Sequence, residues 1–254
     1  AVTQAPPVWA GQQGQLFTVR LCRDWRQPRV EPDMILETQN LLTHAEIDRL
    51  REIASQIEFI DGRASNPDNI TKVNLQADPK SPLYTESSNI VMAALVRSRE
   101  FRDFAFPKRI APPMLAKYHP GMKYGVHADS AFVAAPGQAL RADVSATIFI
   151  SDPRTYEGGQ LVSYMGGRAL QFKGEPGSIV VYPSTTLHEV APVTSGERLV
   201  AITFIQSHLS DEAKRTTLHE LNEVLALEGL NMKWQNRVRL EAVSNNLMRQ
   251  WSSE

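Results

Sequence analysis

The sequence predicts a mainly β domain with flanking helices, its strands closed into a barrel or sandwich. Three observations carry this. Short runs rich in β-branched and apolar residues recur, notably Asp143 to Ser151 (DVSATIFIS) and Gly177 to Pro183 (GSIVVYP), and such runs favour a pleated, half-buried surface. Glycine pairs such as Gly158-Gly159 punctuate them as turns, the pattern of a closed all-β architecture. Helical apolar spacing is confined to the two flanks, and a chain of 254 residues is long enough to bury one substantial core.

The elements follow in order. Residues 1–33 form an N-terminal arm: Ala1 to Gln15 is rich in Pro, Gly and Gln, and Leu16 to Cys22 is a candidate extra strand. The domain proper spans 34–209. Thr43 with Glu46 makes a capping box, opening a helix through Gln56 whose residues Ala45, Ile47, Leu50, Ile53, Ala54 and Ile57 recur at helical spacing. Asp61 to Pro82 is polar, and its Lys72, Asn74 and Gln76 alternate, so that on a strand they share one face. A second helix is expected from Glu86 to Val96, then a strand from Pro113 to Tyr118. Ser130 to Ala142 is a loop, the candidate lid or substrate contact, with Arg141 as its candidate substrate-binding cation. The strands 143–151 and 177–183 bracket a turn at Glu157-Gly158-Gly159 that leads into another strand. Residues 210–254 form a helical extension: a helix Asp211 to Leu227 capped by Ser210, and one from Trp234 to Trp251 with Leu240, Val243, Leu247 and Trp251 on one stripe. That stripe either packs on its own barrel or makes a homo-oligomer contact.

Composition narrows the partners. With 27 basic and 28 acidic residues and a formal net charge of −1, nothing draws the chain to nucleic acid or to an anionic membrane. The single cysteine, Cys22, excludes an intrachain disulfide and fits a reducing compartment. The start AVTQAPPVWAGQQGQ lacks the basic and apolar regions of a secretory leader, and no stretch of eighteen apolar residues occurs; the expected location is cytoplasmic.

The chemistry concentrates in His127-Ala128-Asp129, answered by a distant His188 and then by Arg198. On an extended segment a His-x-Asp pair places both side chains on one face. Two imidazoles and a carboxylate can hold non-haem Fe(II) with open coordination positions, yet the same donors serve catalytic zinc or a non-oxidative, cupin-like metal protein. His44, His119, His208 and His219 are not expected to bind metal, and Glu189, adjacent to His188, should face the other side of its strand.

Tyr118-x-x-Gly121-x-x-Tyr124-x-x-His127-x-Asp129, then Glu157-Gly158-Gly159, then Pro183-Ser184-x-x-x-His188-x-Val190-x-Pro192-Val193 and Arg198 together form a pattern. From about Met34 to about Leu227 the chain resembles the Fe(II)- and 2-oxoglutarate-dependent dioxygenases of the prolyl 4-hydroxylase-like group, specifically the bacterial PKHD-type hydroxylases. The resemblance implies a double-stranded β-helix (jelly-roll) core of the 2-oxoglutarate dioxygenase type. It implies Fe(2+) bound by His127, Asp129 and His188, with 2-oxoglutarate and O2 as co-substrates and L-ascorbate a candidate accessory reductant. It assigns Arg198 to the distal carboxylate of 2-oxoglutarate, which suits a guanidinium fork, with Tyr118 adding a hydrogen bond and Tyr124 near the metal as wall or substrate contact. The reaction implied is hydroxylation of an unactivated C–H with release of succinate and CO2. Asp129 points the same way, because related halogenating enzymes carry a small residue there. The substrate is left open among peptidyl proline, a free amino acid and a small metabolite.

Overall fold

A computed structural model describes residues 35–135 and 137–252; the arm, its expected strand Leu16 to Cys22 and Cys22 itself lie outside the described residues. The mainly β expectation holds. Two antiparallel sheets share one interior in the jelly-roll arrangement. The larger runs, in spatial order, Leu36–Thr38, Ile179–Pro183, Val144–Phe149, Arg198–Ser207, Met114–Tyr118, Leu75–Ala77 and Phe59–Asp61, with Pro107–Ile110 pairing to the far part of Arg198–Ser207. The smaller runs Arg168–Phe172, Leu161–Met165, Leu187–Val190, Lys123–His127 and Lys72–Val73.

Strand alternation divides the larger sheet's side chains between two apolar layers. Ile179, Val181, Val144, Ala146, Ile148, Leu199 and Ala201 meet the helices, whereas Val180, Tyr182, Phe149, Val200, Ala116 and Tyr118 meet the smaller sheet. The strand Val144–Phe149 is buried throughout for this reason. The helical layer is supplied by α1 (His44–Gln56), α2 (Pro82–Arg97) and α3 (Arg99–Ala105). The predicted capping box of α1 is present: the Glu46 amide donates to Thr43 Oγ1 at 3.3 Å and the Thr43 amide to Glu46 Oε2 at 2.8 Å. Its Leu50 and Ile53 are fully buried, each contributing roughly 1.5–3 kcal/mol of apolar burial.

Four expectations are corrected. Helix α2 starts before Glu86, because Ser81 caps it by accepting from the Leu83 amide and Pro82 takes the first helical position, where its missing N–H costs nothing. Helix α3 was not expected; seven residues are too few for a periodic signal, yet Ser98 caps it and Phe106 ends it in the left-handed region at φ 45°. In the segment 130–142, Phe132–Val133 pairs with Leu140–Arg141 as a short hairpin. Helix α4 (Glu212–Glu228) is capped by Asp211, which accepts from the Lys214 amide at 3.0 Å, and not by Ser210.

Helix α5 (Trp234–Trp251) has the expected bounds and is tied to α4 by Ser244 Oγ donating to Asn222 Oδ1 at 2.7 Å. Helix α4 meets α3 through the edge-to-face pair Phe104 and His219, 5.2 Å between ring centres. Among the described residues, no helix is long and apolar enough to cross a membrane.

Candidate metal centre and its cavity

The centre is made by two neighbouring strands of the smaller sheet. Lys123–His127 pairs with Leu187–Val190 so that His188 stands directly opposite His127, bringing the rings to 4.3 Å between centres. Asp129, two residues beyond His127, is held by its own amide donating to the Ser184 carbonyl at 3.2 Å. Asp129 Oδ1 lies 3.7 Å from both His127 Nε2 and His188 Nε2, and one ligand atom from each of the three residues falls within 4.8 Å of the others. Among the described residues no other histidine joins them.

The ring orientation is fixed from behind. His127 Nδ1 lies 2.8 Å from the Gly125 carbonyl and His188 Nδ1 2.9 Å from the Thr186 carbonyl. A carbonyl only accepts, so both Nδ1 atoms carry the proton and both Nε2 lone pairs face the shared centre. Burial, reinforced by the adjacent His188, holds His127 below the ordinary histidine range and so in its neutral, metal-ready form. Ser145 Oγ donates to Asp129 Oδ2 at 2.5 Å and lies 2.7 Å from Ser184 Oγ, which leaves Oδ1 to point at the centre. Two imidazoles and one carboxylate on one side of an open cavity suit a divalent iron-type ion.

Arg198 and Tyr118 are cross-strand partners in the larger sheet, and the Arg198 guanidinium sits 4.9 Å from the Tyr118 ring centre. Arg198 is 1% exposed, yet its Nε and Nη1 have no hydrogen-bond partner. A buried cation with two idle donors is costly unless an anion completes it, and a carboxylate supplies the charge and the acceptors. The Glu157-Gly158-Gly159 turn makes room for it: Gly159 has φ +65° and a Cβ there would stand 2.9 Å from Arg198 Cδ.

Between the metal centre and Arg198 opens a cavity of about 670 Å³. Tyr124 is within it, stacked on His127 at 3.6 Å between ring centres, its hydroxyl accepting from Asn66 Nδ2 at 3.0 Å; burial pushes that phenol up to about 12. Phe132 to Ala135, from the segment expected to be a lid, line the mouth. Arg141 is placed elsewhere: its guanidinium grips Asp143, with Nε 2.7 Å from Oδ1, and it is absent from the cavity wall. Glu189 turns to the opposite face, where it accepts from the Tyr164 hydroxyl at 2.6 Å.

Ser145 escaped the sequence reading although its signal was present. In Asp143 to Ser151, Ser145 and Thr147 alternate with Val144, Ala146 and Ile148, and period two puts them with Phe149 on the cavity side. Of the alternating Lys72, Asn74 and Gln76, the first and last also line the cavity.

Comparison with known proteins agrees with this geometry. Residues 113–206 match the model of the 2OG-Fe(II) oxygenase superfamily. A PKHD-type hydroxylase of Sphingopyxis alaskensis is 52% identical over 202 residues, 80% of this chain and 92% of the relative. Another, from Xanthomonas campestris pv. campestris, is 38% identical over 226 residues, 86% of this chain and 99% of the relative. Among solved structures, a Trichoplax adhaerens prolyl hydroxylase in complex with a hypoxia inducible factor peptide fragment superposes with a TM-score of 0.50 at 14% identity, covering 73% of this chain and 86% of that one; at that identity the likeness is one of fold.

Proposed function

Because the chain belongs to the PKHD-type hydroxylases of the 2OG-Fe(II) oxygenase superfamily, we propose that it hydroxylates an unactivated C–H bond while converting 2-oxoglutarate to succinate and CO2. The observation that carries this reading is the pair of idle Arg198 donors across the cavity from the His127, Asp129 and His188 group. A zinc hydrolase or a non-oxidative metal protein has no use for a buried cation there.

His127 Nε2, His188 Nε2 and Asp129 Oδ1 would hold Fe(2+), which with 2-oxoglutarate bound supplies the oxygen activation. Ser145 keeps Asp129 in single-oxygen presentation by occupying Oδ2. Arg198 takes the distal carboxylate of 2-oxoglutarate with charge-assisted hydrogen bonds, and Tyr118, buried and held well protonated by that burial, donates its hydroxyl to the same group. Leu161, Val190 and Tyr182 wall the space between and keep water from it. Because the third ligand is the carboxylate of Asp129, hydroxylation is favoured over halogenation.

The substrate belongs among peptidyl proline, a free amino acid and a small metabolite, and L-ascorbate would serve as accessory reductant. The cytoplasm, which keeps iron ferrous, suits this chemistry. The exposed apolar residues of the C-terminal helices, Trp234 at 68% and Val243 at 49%, support a homo-oligomer built on them; a monomeric mass at micromolar concentration would remove that assignment. The reaction itself is tested by admitting oxygen to iron-loaded protein with 2-oxoglutarate. Succinate formed with Fe(II) and absent with Zn(II) is the expected result, and hydrolysis of an ester or amide with Zn(II) and no succinate with Fe(II) would refute it.

A further inference from the structure

Lys72 stands in the cavity wall without a charge to match its own. It is 5% exposed, and its Nζ donates to Ser65 Oγ at 2.7 Å, which in turn donates to Gln76 Oε1 at 2.7 Å. Among the described residues that hydroxyl is its one hydrogen-bond acceptor and no carboxylate stands within ion-pair distance, while the Tyr124 ring centre lies 5.3 Å away. An ammonium carries three donors, so the cation is buried with donors to spare. Asp61, which with Asp129 is one of the two carboxylates whose charge reaches Lys72, is already bound to Arg63 at 2.6 Å. Removing a charge from water costs several kcal/mol when no opposite charge meets it.

The charges of the cavity say what kind of partner is missing. Among its lining residues Asp129 is the one carboxylate, and Lys72 and Arg198 are the lysine and arginine side chains. With the divalent metal and dianionic 2-oxoglutarate in place, Asp129 and Arg198 bring the total to neutrality, and Lys72 is left over. Its position is at the substrate's side: it stands opposite Tyr124 across the strand pair, and Tyr124 is stacked on His127. Ser65 and Asn66 on the same rim add neutral hydrogen-bonding groups.

We propose that Lys72 is the anchor for a carboxylate of the molecule to be hydroxylated, so that this cavity selects acidic substrates over their neutral analogues. The inference rests on the oxygenase reading above. Ser65 and Gln76 position the ammonium, and the Tyr124 face limits where the anchored substrate can lie.

The test uses the full chain loaded with Fe(II) and 2-oxoglutarate under anaerobic conditions, titrated with a panel of N-acetyl amino acids and with the C-terminal amide of each. At least one acid is expected to bind about tenfold or more tightly than its amide, with the preference lost in Lys72→Met and retained in Lys72→Arg. The affinity for 2-oxoglutarate is expected to change less than about twofold in Lys72→Met, a readout that a misfolded variant would not preserve. Acids and amides binding alike, or neither binding at millimolar concentration, would overturn the proposal, as would a tenfold loss of 2-oxoglutarate affinity in Lys72→Met, which would make the co-substrate the anion. Wild-type protein that takes up neither metal nor 2-oxoglutarate would instead sink the oxygenase reading itself.

Discussion

The two cations of the cavity are housed differently. Arg198 enters from the middle of the larger sheet, 1% exposed, with Tyr118 fixed opposite it by strand register and Gly159 behind it. Lys72 comes from a two-residue edge strand of the smaller sheet and leans on Ser65, part of a short 3-10 turn. At the deep end Arg198 and Tyr118 are set by sheet pairing, which tolerates little displacement. At the mouth, the walls are the turn 62–65 and the hairpin segment 130–142, the latter tied down by Arg109 donating to the carbonyls of Gln138 at 2.8 Å and Ala139 at 3.2 Å. Such a division allows one fixed co-substrate site to serve different substrates, because loops can change without disturbing the sheet.

The largest expected effect belongs to the metal centre that both ends share. His127→Ala, Asp129→Ala or His188→Ala should reduce succinate formation by at least ~10³-fold, as should chelation of the metal. Turnover surviving any of these substitutions would remove that residue from the ligand set. Next comes Arg198→Ala, which should weaken 2-oxoglutarate binding by roughly 2–5 kcal/mol, since the carboxylate would be left buried without its partner. Gly159→Ala should act through Arg198: its φ of +65° disfavours a side chain and the added Cβ meets Arg198 Cδ at 2.9 Å. A loss of about 1–3 kcal/mol in 2-oxoglutarate binding is expected, with metal affinity unchanged; weakened metal binding instead would mean that the turn supports the whole sheet.

The smallest effect is one of pH. Burial lowers Lys72 to about 8, against the partly opposing pull of Asp129 and Asp61. Its charge is therefore present below about 8 and lost above it, so any acid-over-amide preference should fade as pH rises through that value. The 2-oxoglutarate site at the other end of the cavity does not use Lys72, and 2-oxoglutarate affinity should stay level over the same range. The same lowered value means the unfolded chain binds the proton more tightly than the folded one, so Lys72 adds stability as pH rises from about 8 toward the ordinary lysine range. Lys72→Met should flatten that rise in a thermal unfolding series, and an unchanged slope would place the source in another group.

The difference between the two ends also governs what could be read from the sequence. At the deep end, alternation on an extended segment made the shared face of His127 and Asp129 legible, while His188, Arg198 and Tyr118 joined them through the family resemblance; the register that pairs His127 with His188 and Tyr118 with Arg198 is long-range and has no local signal. Lys72, Asn74 and Gln76, expected to share one face of a strand, are all buried, but the chain crosses between sheets within them: Lys72 is on a strand of the smaller sheet and Gln76 on one of the larger. Arg141 was not legible, since a loop gives no facing rule; in the folded chain Asp143, two residues on, captures its guanidinium. Helix α3 is shorter than the window in which periodicity can declare itself. The strand Arg168–Phe172 is exposed along most of its length and so lacks the apolar alternation by which strands are recognised.

The most direct measurement is an anaerobic titration of Fe(II)-loaded protein with 2-oxoglutarate, followed through the weak visible absorption that accompanies co-substrate binding to iron, in the wild type, Arg198→Ala and Lys72→Met. Wild-type affinity retained in Lys72→Met and reduced by about 30-fold or more in Arg198→Ala is the predicted result. Equal affinity in wild type and Arg198→Ala, or a loss confined to Lys72→Met, would contradict the assignment of the co-substrate to the deep end of the cavity.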